Sequence, residues 1–220
     1  MKKSISILVL LALVTVGAFA QVEMSGGSGL LYDYSARNGI DISTPYQSGY
    51  IGFRNTSFGV YAFLDFTYLE FDMSFARGSL TWVEEFGYTA TDNAGSMTQI
   101  GFSALVKYPL DLGFITFYPL FGLNYNRATS LSLSYWAFSA AGNVSASDLS
   151  QFGIQFGAGG DYDLSDTMYI RGQFLLQLRF ASKLQRDMVD LLTSTSNINM
   201  TTNTTLGFGP RIKVGVGYRF

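Results

Sequence analysis

Neither cysteine nor histidine occurs in the 220 residues. Their absence removes disulfides, thiolate and imidazole metal sites, Cys or Ser-His nucleophilic machinery, and histidine pH switching. What remains for charge chemistry is a set of carboxylates and cations at even spacings: Glu70 with Asp72, Arg171 with Arg179, and Arg211, Lys213 and Arg219. Even spacing places such residues on one face of an extended strand. Glu23, Asp33, Glu70 and Asp72 lie early in the chain, whereas the five cations lie late. The pattern supports neither carboxylate-pair nor serine catalysis, so no catalytic residue, metal site or cofactor is expected and the chain is read as non-enzymatic. Opposite signs at opposite ends instead predict ion pairing, if the fold brings the first and last strands together.

The elements that must position these charges read as strands. From Leu206 to Phe220, the residues Leu206, Phe208, Pro210, Ile212, Val214, Val216, Tyr218 and Phe220 alternate with glycines and Arg211, Lys213 and Arg219. Met168–Phe180 repeats the pattern, with Arg171, Gln173, Gln177 and Arg179 opposite Ile170, Phe174, Leu176 and Leu178. Segments around Phe152–Tyr162 and Ile100–Tyr108 follow the same rule. Less regular ones cover Glu23–Tyr34, Phe58–Asp65, Tyr68–Ala76 and Phe114–Asn126, for eight strands in all. The composition, 48% hydrophobic and 16% aromatic with only 14% charged and 24 glycines, agrees with strands that are apolar on one face.

Residues 1–20, MKKSISILVLLALVTVGAFA, carry two lysines, an apolar run and an Ala18-x-Ala20 ending, the form of a cleaved signal peptide. The apolar run is shorter than the roughly 20 residues of a spanning helix. Cleavage would leave residues 21–220 as a single β-barrel domain with 12 basic and 16 acidic residues, a net charge of −4. Without a basic cluster, no nucleic-acid partner is expected. Connection lengths alternate: Phe66-Thr67, Pro109–Gly113 and Asp163–Asp166 are short, whereas Ser35–Ser57, Arg77–Met97, Arg127–Ser150 and Ala181–Thr205 are long. This is the rhythm of an antiparallel up-and-down transmembrane β-barrel with short periplasmic turns and long extracellular loops. Eight strands' worth of Phe, Tyr, Leu, Met and Ile would not fit in a lumen of that size, so the apolar faces are expected to meet lipid.

On this alternation and the terminal Tyr218-x-Phe220, the chain resembles the small eight-stranded bacterial outer-membrane β-barrel superfamily of the OmpA-barrel, OmpX and OmpW type. The resemblance spans residues 21–220 and rests on pattern, with Tyr218-x-Phe220 its only short motif. It implies an outer-membrane location, and recognition of Tyr218 and Phe220 by the barrel-assembly machinery.

A closed barrel would gather Glu23, Asp33, Glu70, Asp72, Arg171, Arg179, Arg211, Lys213 and Arg219 into one lumen charge network. Pro119 and Pro210 fall within strands, where each deletes a ladder hydrogen bond. Bulges would absorb them. Alternatively, Gly27, Gly29 and Pro210 mark a candidate lateral opening of the OmpW-like kind, with inward Leu31, Leu105, Leu175, Tyr61 and Phe63 along the route. Leu184, Met188 and Leu191 in SKLQRDMVDLL have helical spacing, which suggests a short amphipathic helix on the rim or membrane interface. Tyr135, Trp136 and Phe138 belong to another long connection. The expected role is a monomeric, structural, porin-like barrel with a largely closed charged lumen, or a narrow passive channel for small or hydrophobic molecules. The alternative is a cell-surface adhesin that binds a host or cell-surface ligand through its loops.

Overall fold

A computed structural model describes residues 23–133, 145–195 and 201–220. The leader expected over residues 1–20 and the aromatic group Tyr135, Trp136 and Phe138 lie outside the described residues. Among the described residues, ten strands form one antiparallel sheet: β1 (Met24–Ser43), β2 (Ser48–Phe66), β3 (Leu69–Glu85), β4 (Thr89–Lys107), β5 (Leu110–Asp111), β6 (Ile115–Leu133), β7 (Gln151–Asp163), β8 (Met168–Arg179), β9 (Thr201–Thr204) and β10 (Gly207–Arg219). Eight are long, and β10 pairs back onto β1 from Ser25↔Arg219 to Asp33↔Arg211, so they close into a ring. Short β5 and β9 add only to β6 and to the far end of β1. The helix α1 (Lys183–Thr195) follows β8.

The alternation sorts side chains as the period of two requires. On β10, Ile212, Val214, Val216 and Tyr218 are exposed, whereas Arg211 and Lys213 are buried. On β8, Ile170, Phe174, Leu176 and Leu178 are exposed, whereas Tyr169, Arg171, Gln173, Leu175, Gln177 and Arg179 are buried. Continued around the ring, this gives a belt of exposed Phe, Leu, Val, Ile, Met and Tyr outside the wall. Tyr68, Tyr108, Tyr162 and Tyr218 are exposed toward the end with the short turns. Tyr125 and Phe180 are exposed at the other edge, where Tyr34 is half-buried.

Two of the long connections prove to be largely strand. The β1–β2 ladder runs on to Ser43↔Ser48, and the β3–β4 ladder to Glu85↔Thr89. Those hairpins therefore turn within residues 44–47 and 86–88, the second at Gly87, whose φ of +78° suits a residue without a Cβ. Beyond exposed Arg77 and Arg127 the polarity of the wall inverts. Ser79, Thr129 and Ser130 face out, while Phe53, Leu80, Trp82, Ala94, Met97 and Ala128 form a buried apolar core inside. Register shifts at Ser35/Asn38, Leu80/Thr81 and Thr98/Gln99 accompany the change.

The expected helix is present, but its placement corrects the rim or interface assignment. Leu184 is 7% exposed and packs into the apolar core inside the barrel mouth, with Met188 against it, while Leu191 is exposed. A water-excluding core inside the mouth offers this apolar edge more burial than an outer surface would. Ser182 and Gln185 cap the helix reciprocally, the Gln185 amide N–H donating to Ser182 Oγ at 3.3 Å and the Ser182 N–H to Gln185 Oε1 at 2.8 Å.

Neither proline causes a bulge. Pro119 lies just beyond the last β4–β6 pair, Lys107↔Leu120, where β6 needs no donor toward β4. Pro210 lies where the β1–β10 pairing is skipped opposite Tyr34, with the register unchanged on either side.

Candidate functional site

Inside the wall, between the short turns and the apolar core, the charges form two layers. The layer nearer the turns centres on Arg171, which is completely buried. It donates from Nε and Nη2 to the two oxygens of Asp161 at 2.8 and 2.7 Å, from Nη1 to Glu70 Oε2 at 2.8 Å, and from Nη2 to Asp65 Oδ2 at 2.5 Å. Lys107 also donates to Asp65, Tyr118 Oη donates to Asp161 at 2.8 Å, and Gln173 Nε2 donates to Glu70 at 2.8 and 3.0 Å. Lys213 Nζ donates to Asp72 at 2.6 Å and lies 4.0 Å from Glu70. The Arg171 guanidinium sits 4.3 Å from the Phe63 ring centroid, 5.1 Å from Tyr169 and 5.5 Å from Tyr118, so aromatic faces enclose it.

Toward α1 the second layer is built on Asp33. Arg179 Nη2 donates to its Oδ1 at 2.5 Å and Arg211 Nη2 to its Oδ2 at 2.7 Å. The same Arg211 nitrogen reaches Asn126 Oδ1 at 2.9 Å, and Arg179 also donates to Gln177 Oε1 at 2.8 and 3.1 Å. All three ionic side chains are essentially inaccessible. At such depth an ion pair is tolerated only with its remaining hydrogen bonds made, and the amides of Gln173, Gln177 and Asn126 supply part of that need.

Seven of the nine residues expected to share a lumen network are therefore in these layers: Asp33, Glu70, Asp72, Arg171, Arg179, Arg211 and Lys213. Glu23 is not. It is exposed at the strand entrance, where its backbone N–H donates to Thr67 Oγ1 at 3.1 Å. Arg219 stands at the rim, paired with Asp163 at 2.5 Å and stacked 4.9 Å from the Tyr169 ring centroid, both partners still partly exposed. Both residues sit at strand ends, where the ring opens to solvent. Asp65, Asp161, Lys107 and Tyr118 complete the network and were not singled out. The signal available for Asp161 and Lys107 was their place on polar strand faces.

The candidate lateral opening is not present as such. Gly27 and Gly29 pair with Gly217 and Gly215 in the unbroken stretch of the β1–β10 ladder from Ser25↔Arg219 to Asp33↔Arg211, and Pro210 lies just past it, where two pairs are skipped before Ala36↔Phe208 resumes the same register. A Cβ on Gly27 would lie 2.1 Å from Val216 O and 2.8 Å from the Phe63 ring; on Gly29, 2.1 Å from Val214 O and 2.8 Å from the Tyr61 ring. These glycines leave room for aromatic rings that fill the lumen, rather than weakening the wall. Leu31, Tyr61, Phe63 and Tyr169 pack together there, as do Leu105, Tyr118, Leu120 and Leu175. Tyr218 and Phe220 lie outside the wall, edge to face with ring centroids 5.7 Å apart.

At the α1 end, the Lys183 ammonium is held above its ordinary pKa by hydrogen bonds to Asp187 at 2.7 Å and to Asp148, the latter in a 3-10 turn over Ala146–Leu149. Burial pushes the Tyr50 phenol well above its ordinary range. Among the described residues no cluster of acidic side chains has the arrangement to hold a metal ion.

No family model and no curated protein matches the chain. Among solved structures, the outer membrane protein OprG from Pseudomonas aeruginosa superposes with a TM-score of 0.52 at 14% identity, covering 90% of this chain and 96% of that one. Neisserial surface protein A gives 0.43 at 13% identity, covering 90% and 97%. The attachment invasion locus protein Ail of Yersinia pestis gives 0.41 at 13% identity, covering 91% and 100%. The chain has the fold of the small eight-stranded outer-membrane β-barrels.

Proposed function

We propose that this chain is an integral bacterial outer-membrane β-barrel protein, exported through a cleaved leader over residues 1–20, whose lumen is closed by buried ion pairs and whose role is structural. The observation that carries the reading is the pairing of an apolar outer belt with an interior in which Asp33, Asp65, Glu70, Asp72 and Asp161 are matched to Lys107, Arg171, Arg179, Arg211 and Lys213. Lipid is the medium that would cover such a belt, because exposed apolar area of this extent is unfavourable in water. In this orientation the short turns face the periplasm and α1 faces outside. Tyr218 and Phe220 then stand where the barrel-assembly machinery reads a terminal aromatic, and the barrel acts as a monomer without catalytic or cofactor chemistry.

Planar-bilayer recording tests the closed lumen. The purified wild-type protein is expected to show near-zero conductance. The Glu70→Ala/Asp72→Ala double variant removes the carboxylates facing Lys213 and one of the three on Arg171, and it should admit water and conduct. Steady wild-type conductance would replace the closed lumen by a narrow passive channel. The long outer halves of β1 to β4 favour a second reading, a barrel that presents a surface to a host or cell-surface ligand. Binding of such material by a silent barrel would select it.

A further inference from the structure

The interior charge is balanced in total but not along the barrel axis. Toward the short turns, four buried carboxylates, Asp65, Glu70, Asp72 and Asp161, face three cations, Lys107, Arg171 and Lys213. Toward α1, two guanidiniums, Arg179 and Arg211, share the single carboxylate of Asp33. The outer layer thus holds an excess positive charge in a position where uncompensated charge is costly.

Next to that layer, beneath α1, is a cavity of about 30 Å³ bordered by Arg179, Asn55 and Asn126 on its polar side and by Phe53, Leu80 and Leu184 on its apolar side. Part of its polar side is not satisfied by the protein. Asn55 is 2% exposed, and neither the nitrogen nor the oxygen of its amide has a protein partner. Asn126 is 5% exposed; its Oδ1 accepts from Arg211, while its Nδ2 has no protein partner. Arg211 does not itself border the cavity but donates to Asn126, which does, and its Nε and Nη1 have no protein partner. Ser182, the N-cap of α1, also borders the cavity, so the positive end of the helix dipole adds to the same field.

We infer that this cavity is a binding site for one small monovalent anion of halide size, held by the Asn55 and Asn126 amide N–H groups in the field of Arg179 and Arg211. Water would satisfy the amides but leave the excess charge. The volume admits only a few water-sized particles, too few for a full hydration shell. The inference goes beyond the closed-lumen reading and does not depend on it.

The line width of the chloride-35 nuclear resonance reports the binding. Purified protein in a non-ionic detergent, at constant ionic strength made up with sodium gluconate, should broaden the chloride signal saturably, and bromide should reverse the broadening. Crystals soaked in bromide should show one anomalous peak within hydrogen-bonding distance of Asn126 Nδ2. Asn126→Leu, checked for folding by heat-modifiable gel mobility, should weaken binding by about tenfold or more, the loss of one hydrogen bond to a charged partner. Wild-type protein that gives no saturable broadening, or a cavity holding ordered water alone in bromide-soaked crystals, would overturn the site. Saturable broadening from a protein that also conducts would support the site while overturning the closed lumen.

Discussion

Arg171 shows what a single residue does in this interior. Three carboxylates converge on its guanidinium and three aromatic rings surround it, so its removal leaves Asp161 with only the Tyr118 hydroxyl, Asp65 with Lys107, and Glu70 with Gln173 and a distant Lys213. Arg171→Met keeps most of the volume and removes the charge. Breaking one side of a buried ionic cluster typically costs about 3–5 kcal/mol, and a loss of that size is expected in urea titration of the folded barrel. Adding Asp161→Asn to the variant should recover part of the loss, because the orphaned carboxylate is then gone; a variant as stable as wild type would show that the charges contribute nothing. The sequence made Arg171 legible through even spacing on a strand with a clear polar face, and Glu70 through its spacing from Asp72. It hid Asp65 because the neighbouring inward positions on β2, Tyr61 and Phe63, are as apolar as outward Val60, Ala62 and Leu64, so the alternation carries no contrast. Which carboxylate meets which cation was hidden for another reason. Asp33 lies beside Arg211 in the ladder, but Glu70 reaches Arg171 across the lumen, and only the closed ring sets that distance.

At the scale of the strand, the pattern was legible where one face met the outer belt and the other met charge, as in β8 and β10. It misled beyond Arg77, where alternation continues with its meaning reversed: Leu80 and Trp82 point inward and Ser79 outward. Strand there resembles loop in composition, since the exposed side is polar and register shifts break the count. The reversal fixes where lipid should stop. Spin labels at outward Met73 and Phe75, both more than half exposed, are expected to be relaxed by lipid-soluble oxygen in reconstituted vesicles. Labels at Ser79 and Ser130 should respond instead to a water-soluble nickel chelate. Equal oxygen accessibility at Phe75 and Ser79 would show that the belt extends past Arg77 and would remove the boundary. Gly215 and Gly217 are unsuitable as inward controls, because a Cβ at Gly217 would meet the Tyr169 ring at 2.1 Å and one at Gly215 would meet Ser28 O at 2.6 Å.

For the whole molecule, the reversal means that one wall encloses two kinds of interior. Near the short turns the ring is shut by ion pairs and rings behind the apolar outer belt. Near the outer mouth it is shut by an apolar core and α1, as in a water-soluble barrel. The two closures make separable predictions. Leu184→Ala removes the side chain that anchors α1 in the core, and a buried Leu-to-Ala change typically costs about 2–5 kcal/mol. Part of that loss should appear locally, as faster hydrogen exchange in α1 and in the outer ends of β3 and β4, because the helix packs on the mouth while the ladders below it remain paired. Conductance should stay near zero in the same variant, since the layers around Asp33 and Arg171 lie deeper in the lumen than Leu184. Current through the Leu184→Ala barrel, with the ionic residues untouched, would identify α1 as the seal and reduce the ion pairs to a lining. Silence from Leu184→Ala beside current from Glu70→Ala/Asp72→Ala would assign the barrier to the charged layers, leaving α1 to cover the cavity above them.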